Sequence, residues 1–306
     1  MGTLNKAIYV GPDNGLSVRD ILAEYEPGQN QALVQVHYSG VNPADVKHGV
    51  LLGLNDYVCG YEFSGEVLKA GPNFRYAVSE YIYGSKRVGF GSEFGAHQGR
   101  LLVEGNTLIA KRPPSLPSHD AAAMSVVLRT AADALFNVMK IPFKPLVDGE
   151  QGAQGGILIW GGGSAVGSAA IQLAKSAGLS PIITTASSRN HGALKSMGAT
   201  HCFDYSDDDV VAKIQAVLDA QSQPLVYVFD TVGSTGESAS WRHCEALHCS
   251  PEMICVATVP IVGSKYKWQW CVAARGWDLP MPPPIGFTPA SAEYESRIPC
   301  PQYNRH

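Results

Sequence analysis

The segment that most limits the fold is Trp160-Gly161-Gly162-Gly163-Ser164-Ala165-Val166-Gly167, which follows the apolar run Ile157–Trp160 and opens the amphipathic stretch Ala165–Ala177. Glycines crowded between a strand and a helix let the backbone approach another group closely and present amide N–H groups at a helix N-terminus. The strict G-x-G-x-x-G spacing is not met, because Ser164 stands at the middle glycine position between Gly162 and Gly167. A hydroxyl there can still donate to a phosphate oxygen. Alone, the segment also suits an ordinary tight strand–helix turn; within a βαβ unit it reads as a dinucleotide site.

The flanking sequence supplies that unit. Pro181–Thr185, His201–Asp204, Leu225–Phe229 and Ile254–Ala257 read as strands, and Gly192–Met197, Asp208–Ala220 and Glu237–Leu247 as helices between them. Continuous apolar strands separated by amphipathic helices predict a parallel sheet covered on both faces. Upstream the texture differs. Met1–Val10, Ala32–His37, Glu62–Lys69 and Arg87–Phe90 read as short strands, with Val34 and Val36 sharing a face and Gly71-Pro72-Asn73 forming a turn. Such spacing predicts a small, irregular β-barrel. Ser118 is placed as the N-cap of a helical stretch over Ala121–Met139. Beyond Trp277 the chain is Pro-rich and no regular structure is assigned.

The expected fold class is therefore α/β: a β-barrel domain over residues 1–120 and a doubly wound parallel sheet of the Rossmann type over 121–265, with part of 265–306 returning to the barrel. Two domains also suit 306 residues, since single cores rarely grow past about 250–300.

The nucleotide is readable from the second strand's end. An NAD site carries Asp or Glu there for the ribose 2′-hydroxyl. Here the sequence runs Thr184-Thr185-Ala186-Ser187-Ser188-Arg189-Asn190, with no acid. Ser187, Ser188 and Arg189 instead offer hydroxyls and a cation to a 2′-phosphate, with Lys195 further on. NADPH is the expected cofactor. Tyr205, at the edge after the third strand, is placed against the adenine. The ends of the next strands, Asp230-Thr231-Val232-Gly233 and Ala257-Thr258-Val259-Pro260, lie at the edge where nicotinamide is expected.

A net charge of -4 gives no basic footprint for nucleic acid. No run of about 18 apolar residues crosses a membrane, and Met1–Val10 lacks the apolar core of a leader. Seven cysteines without a C-x-x-C pair read as scattered, mostly buried thiols. These features describe a soluble, cytoplasmic protein.

Asn42-Pro43-Ala44-Asp45-Val46-Lys47, then Gly60-Tyr61-Glu62-Phe63-Ser64-Gly65, the Ser-containing glycine turn and the Ser-Ser-Arg-Asn loop together resemble the quinone oxidoreductase-like branch of the medium-chain dehydrogenases/reductases. Within it, the chain is most similar to the fungal trans-acting enoyl reductases that serve polyketide synthases. The resemblance implies a GroES-like catalytic domain joined to the Rossmann domain, with an active site in the cleft between them. It places NADPH contacts on Ala44, Asp45, Val46 and Lys47, on Gly162, Gly163, Ser164, Ala165, Val166 and Gly167, on Ser187, Ser188, Arg189 and Asn190, and on Tyr205, Ala257 and Thr258. It lines the substrate pocket with Leu128, Arg129, Thr130, Ala131, Leu135 and Phe136. Zinc-dependent members carry Cys near the Asn42 position and His at the Tyr61 position, and neither Asn42 nor Tyr61 suits zinc; the four-cysteine structural lobe is absent as well. His243-Cys244-Glu245-Ala246-Leu247-His248-Cys249 looks metal-like but sits in a helix remote from the cleft. No metal is expected.

The implied reaction adds hydride to the β-carbon of a double bond conjugated to a carbonyl, and a proton to the α-carbon. Lys47 is expected to hold the nicotinamide ribose and to stabilise enolate charge, and Thr130 to position a thioester carbonyl. Tyr61 or Tyr57 is placed as the proton donor, the alternatives being a buried packing role for these rings and water as the donor. The substrate is expected to be a small molecule or a carrier-bound thioester, with a polyketide synthase as the macromolecular partner. Two rivals remain: a quinone or enone reductase acting on free molecules, and a redox-inactive protein of the same fold serving as cyclase, isomerase or synthase partner. The second is motivated by Pro299–His306, which departs from the family's expected return of the chain to the catalytic domain.

Overall fold

The computed structural model describes residues 4–22, 24–52, 54–86, 91–142, 153–220, 225–234, 236–247 and 252–273, and the chain divides into two compact units between Val126 and Val127. The expected strand Arg87–Phe90, residues His248, Cys249 and Cys300, and the Pro-rich stretch beyond Trp277 lie outside the described residues.

The first unit is built from β1 (Leu4–Val10), β2 (Leu16–Leu22), β3 (Gln31–Gly40), α1 (Pro43–Leu52), β4 (Tyr57–Val58), β5 (Glu62–Ala70), β6 (Tyr81–Ser85), β7 (Arg100–Glu104), β8 (Ile109–Lys111) and α2 (Ser118–Ala122). Its strands are antiparallel and form two sheets, ordered β7-β3-β5-β6-β8 and β2-β1-β4. An isolated bridge between Ala7 and Gln98 connects β1 to the chain entering β7. Val34, Phe63, Val67, Ile82, Leu101 and Val103 are buried together, and Val36 packs on them as the alternation of β3 requires. Each such side chain stabilises the unit by roughly 1.5–3 kcal/mol.

The second unit begins within α3 (Ser125–Ala132), which continues as a π-helical turn over Asp133–Val138. Then follow β9 (Gly156–Trp160), α4 (Ala165–Ser176), β10 (Ile182–Thr185), α5 (His191–Met197), β11 (His201–Phe203), α6 (Val210–Ala220), β12 (Leu225–Asp230), α7 (Ser240–Glu245), β13 (Ile254–Ala257) and β14 (Trp268–Trp270). All six strands are parallel in the order β11-β10-β9-β12-β13-β14. This is the doubly wound order, and it reverses direction between β9 and β12. The central strand shows why its sequence does not alternate. Ile157 and Ile159 pack with Ala131, Leu135 and Ile171 on one face, while Leu158 and Trp160 pack with Ile214 and Cys244 on the other.

The single helix expected over Ala121–Met139 is broken. α2 ends at Ala122 and α3 restarts at Ser125, because the buried carboxylate of Glu62 accepts the amide of Val126 at 2.8 Å. Ser118 is the first helical residue and Pro117 occupies the N-cap position, with no side-chain cap.

Candidate functional site

The glycine turn is shaped by contacts that leave no space for side chains. Gly161 has φ of 90°, and a Cβ on Gly162 would lie 2.1 Å from Thr184 Oγ1. One on Gly167 would lie 2.3 Å from the carbonyl oxygen of Gly161. Strand, turn and helix are therefore packed so closely that neither Gly162 nor Gly167 has room for a Cβ. Gly161 N donates to Thr185 Oγ1 at 3.0 Å and Gly162 N to the Thr185 carbonyl at 2.9 Å, tying the turn to β10.

Ser164 is the N-cap of α4. Its Oγ accepts the amide of Gly167 at 2.9 Å and lies 3.0 Å from Thr231 Oγ1. Thr231 Oγ1 in turn faces the carbonyls of Trp160 and Gly161 at 2.8 and 2.9 Å. With Thr231 donating to those carbonyls, the Ser164 proton goes to Thr231. Capping uses a lone pair of the Ser164 oxygen, while its proton, expected to serve a phosphate, points to Thr231. The first-turn amides of Ala165 and Val166 are the donors the helix leaves open.

The loop after β10 lies beside this turn. A Cβ on Gly163 would come 3.1 Å from Asn190 Nδ2, so Asn190 walls the cradle. Arg189 and Lys195 are exposed. Ser187 Oγ donates to Tyr205 OH at 3.3 Å, and the Tyr205 ring is exposed at 56%. Ser188 donates both its amide and its hydroxyl to Asp204, at 2.8 and 2.5 Å. At the other strand ends, Ala257 is fully buried and its carbonyl accepts from Cys271 N, while Thr258 N donates to the Asp230 carbonyl. The Asp230 side chain accepts the amides of Val232 and Gly233 and the Ser240 hydroxyl, at 3.0, 3.3 and 2.6 Å. It shapes the edge at the point where strand order reverses, and burial raises its pKa.

In the first unit, Ala44, Val46 and Lys47 lie on α1, with Val46 and Lys47 exposed and Lys47 without an ion-pair partner among the described residues. Asp45 points the other way. It is 3% exposed, accepts the amide of Asn42 at 2.7 Å and meets His97 Nε2 at 3.2 Å, so its carboxylate caps and anchors α1. Tyr61 is buried, and its phenol meets His48 Nδ1 at 2.8 Å. Burial pushes the Tyr61 hydroxyl far above the usual phenol range and pulls His48 below the usual imidazole value. Tyr57 OH is buried and makes no hydrogen bond among the described residues. Lys86 is buried between the two phenol rings, its ammonium 5.4 and 5.3 Å from their centres.

Of the residues expected to line a substrate pocket, Ala131 and Leu135 are fully buried in the sheet's core cluster, so packing claims them. Leu128 is 38% exposed, Arg129 and Phe136 are part-buried, and Thr130 is 9% exposed. Asp133 holds the π-helical turn, accepting from Asn137 Nδ2 at 3.0 Å and Val272 N at 2.9 Å.

Asn42 Nδ2 is given to Glu62 Oε1 at 2.8 Å, and Tyr61 is held neutral. Among the described residues no three His, Cys, Asp or Glu side chains converge on a metal position. The His243 ring stacks on Trp160, and Cys244 is core. The described cysteines are free thiols, and no helix among the described residues is long and apolar enough to cross a membrane.

Comparison with known proteins agrees with this architecture. Residues 28–112 match the alcohol dehydrogenase GroES-like domain, and residues 165–261 match the zinc-binding dehydrogenase family. The trans-enoyl reductase himH of Aspergillus japonicus is 31% identical over 231 residues, covering 68% of this chain and 60% of the relative. The trans-enoyl reductase fsa3 of Fusarium sp. (strain FN080326) is 31% identical over 250 residues, covering 74% of this chain and 68% of the relative. The chain thus spans under two thirds of the length of the first of these relatives and slightly over two thirds of the second. The quinone oxidoreductase from Coxiella burnetii superposes with a TM-score of 0.65 at 28% identity, over 85% of this chain and 77% of that one. Two domain matches in order, these relatives and the doubly wound sheet lead to one conclusion: the chain belongs to the medium-chain dehydrogenase/reductase superfamily, as a relative of the fungal trans-enoyl reductases.

Proposed function

We propose that this protein is an NADPH-dependent reductase of carbon–carbon double bonds conjugated to a carbonyl, acting in trans on thioester intermediates of a polyketide synthase. The observation that carries the reading is the turn after β9, where Gly162 and Gly167 exclude a Cβ and α4 leaves first-turn amides open to a diphosphate. The curated relatives named trans-enoyl reductases support the substrate class.

A bound reduced nicotinamide supplies hydride to the β-carbon of such a substrate. The chain's own residues do the rest. Gly163, Ala165 and Val166 offer backbone N–H groups to the diphosphate; Arg189 and Lys195 offer positive charge to a 2′-phosphate, and Tyr205 an exposed ring to adenine. Lys47, exposed on α1, binds a ribose hydroxyl and stabilises negative charge developing on the carbonyl oxygen. Thr130 orients that carbonyl. Tyr61 stays protonated because burial disfavours its anion, and its hydroxyl proton goes to the α-carbon; the phenolate so formed is held by a hydrogen bond from His48 Nδ1–H, 2.8 Å away, and takes its proton back from solvent water.

The test is a substrate screen with NADPH consumption as the readout. α,β-Unsaturated thioesters are expected to be reduced, and Lys47→Ala to lower kcat roughly 10–100-fold. A kcat close to the unmutated value removes Lys47 from the mechanism. Likeness to the Coxiella quinone oxidoreductase favours one second reading, reduction of free quinones or small enones. Turnover of simple quinones with inert thioesters selects it.

A further inference from the structure

The second strand of the parallel sheet ends without an acid, which is the main reason to expect a 2′-phosphate rather than a free ribose hydroxyl at the loop Ser187–Asn190. Yet the fold delivers an acid to the same loop from the next strand. Asp204 follows β11, the immediate neighbour of β10 in the sheet, and its side chain reaches across to Ser188. Oδ2 accepts the Ser188 amide at 2.8 Å and the Ser188 hydroxyl at 2.5 Å. Oδ1 accepts the Ser206 amide at 3.0 Å and the Ser206 hydroxyl at 2.6 Å.

An ionised carboxylate has about four acceptor positions. All four are taken, and three consequences follow. Asp204 has no lone pair left for a ribose 2′-hydroxyl, so it does not do what an acid at the end of β10 would do for NAD. Ser188 has no donor left for a phosphate, because both of its hydrogens point to Asp204; what it presents outward is hydroxyl lone pairs. Four donors also hold the Asp204 carboxyl well below the usual range, so it carries its full negative charge throughout the neutral region. The loop that reads in sequence as two serines and an arginine is, in three dimensions, one loosely held serine, one arginine and a carboxylate. The loosely held one is Ser187, whose hydroxyl makes only a 3.3 Å contact with Tyr205 OH.

We propose that Asp204 is a specificity-determining residue of this loop, which withdraws Ser188 from phosphate binding and sets a fixed negative charge beside it, holding down the preference for NADPH that Arg189 creates. The inference rests on the cofactor reading above and adds to it the residue that sets how strongly the two dinucleotides are distinguished. Arg189 and Asp204 act in opposition, and the balance between them sets the ratio of NADPH to NADH affinity.

The test is calorimetric titration of the full chain and of Asp204→Asn and Asp204→Ala with NADPH and with NADH. Removing one exposed charge near a 2′-phosphate is expected to tighten NADPH roughly five- to tenfold at low ionic strength, with NADH changed less than about twofold. Because the carboxylate is solvent-facing, the gain is expected to shrink in about 0.5 M salt, a dependence that a purely structural clamp would not show. An unchanged NADPH Kd in both variants, or an equal weakening of both cofactors, overturns the role given to Asp204. Failure of the unmutated chain to bind NADPH is a different result, and it removes the cofactor reading itself.

Discussion

The hydroxyl of Ser164 lies 2.9 Å from the amide of Gly167 and closes the first turn of α4. The residue expected from sequence to donate to a phosphate also serves, through an oxygen lone pair, as the helix cap. Ser164→Ala is expected to lower the unfolding free energy by roughly 1–2 kcal/mol, and Ser164→Thr to keep most of it. Denaturant unfolding of both variants checks this; equal stability of Ser164→Ala and the parent would mean that the cap contributes nothing.

Gly167→Ala tests the cradle directly. Its Cβ would meet the Gly161 carbonyl at 2.3 Å and Gly162 Cα at 2.8 Å, both backbone atoms that cannot step aside. Stability is expected to fall by about 2 kcal/mol or more. Gly192→Ala is the control, since nothing lies within 4 Å of its Cβ position in α5. It is expected to gain up to about 1 kcal/mol from helix propensity. Thermal unfolding distinguishes the two, and similar melting temperatures would show that the turn has room to give.

The parallel sheet was legible because its strands are apolar on both faces: Ile157, Leu158, Ile159 and Trp160 all enter cores. Edge elements were not. β2 carries Leu16 at 50% and Val18 at 72% exposure beside charged residues, and the aromatic-rich β14 is three residues long, so neither has the pattern of a covered strand. Nor can local sequence show that Glu62 breaks the helix at Val126, 64 residues away, or that Asp204 captures Ser188 across 16. The site's frame was readable from glycine spacing, while its charge balance depended on side chains from different strands. Ala131 and Leu135 illustrate the same limit: apolar residues on one helix look alike whether they face a pocket or the sheet.

Glu62 is 1% exposed, with one carboxylate oxygen on Asn42 Nδ2 and the other on Val126 N. Glutamine has one side-chain acceptor oxygen where two donors need one each. Glu62→Gln is therefore expected to cost about 1–3 kcal/mol by stranding a buried donor. Urea unfolding measures it, and a change too small to resolve would contradict the clamp.

Lys86 has a buried ammonium that makes no hydrogen bond among the described residues, and burial pulls its pKa down to about 8 from 10.5. Between those values the unfolded chain binds more protons than the native one, so this group makes stability rise with pH from about 8 towards 10.5, with a constant penalty below. Lys86→Met keeps the apolar stem and removes the charge. It is expected to stabilise the protein by roughly 1–3 kcal/mol at neutral pH and to flatten the alkaline rise. Unfolding curves at neutral and alkaline pH check it; a less stable variant would mean that the contacts with Tyr57 and Tyr61 outweigh the burial.

Cofactor titration of the unmutated full chain tests the central claim most directly. If the turn after β9 cradles a diphosphate and Arg189 faces an added phosphate, calorimetry will show saturable NADPH binding that is tighter than NADH binding. No heat with either dinucleotide, or equal affinity for both, would contradict the account.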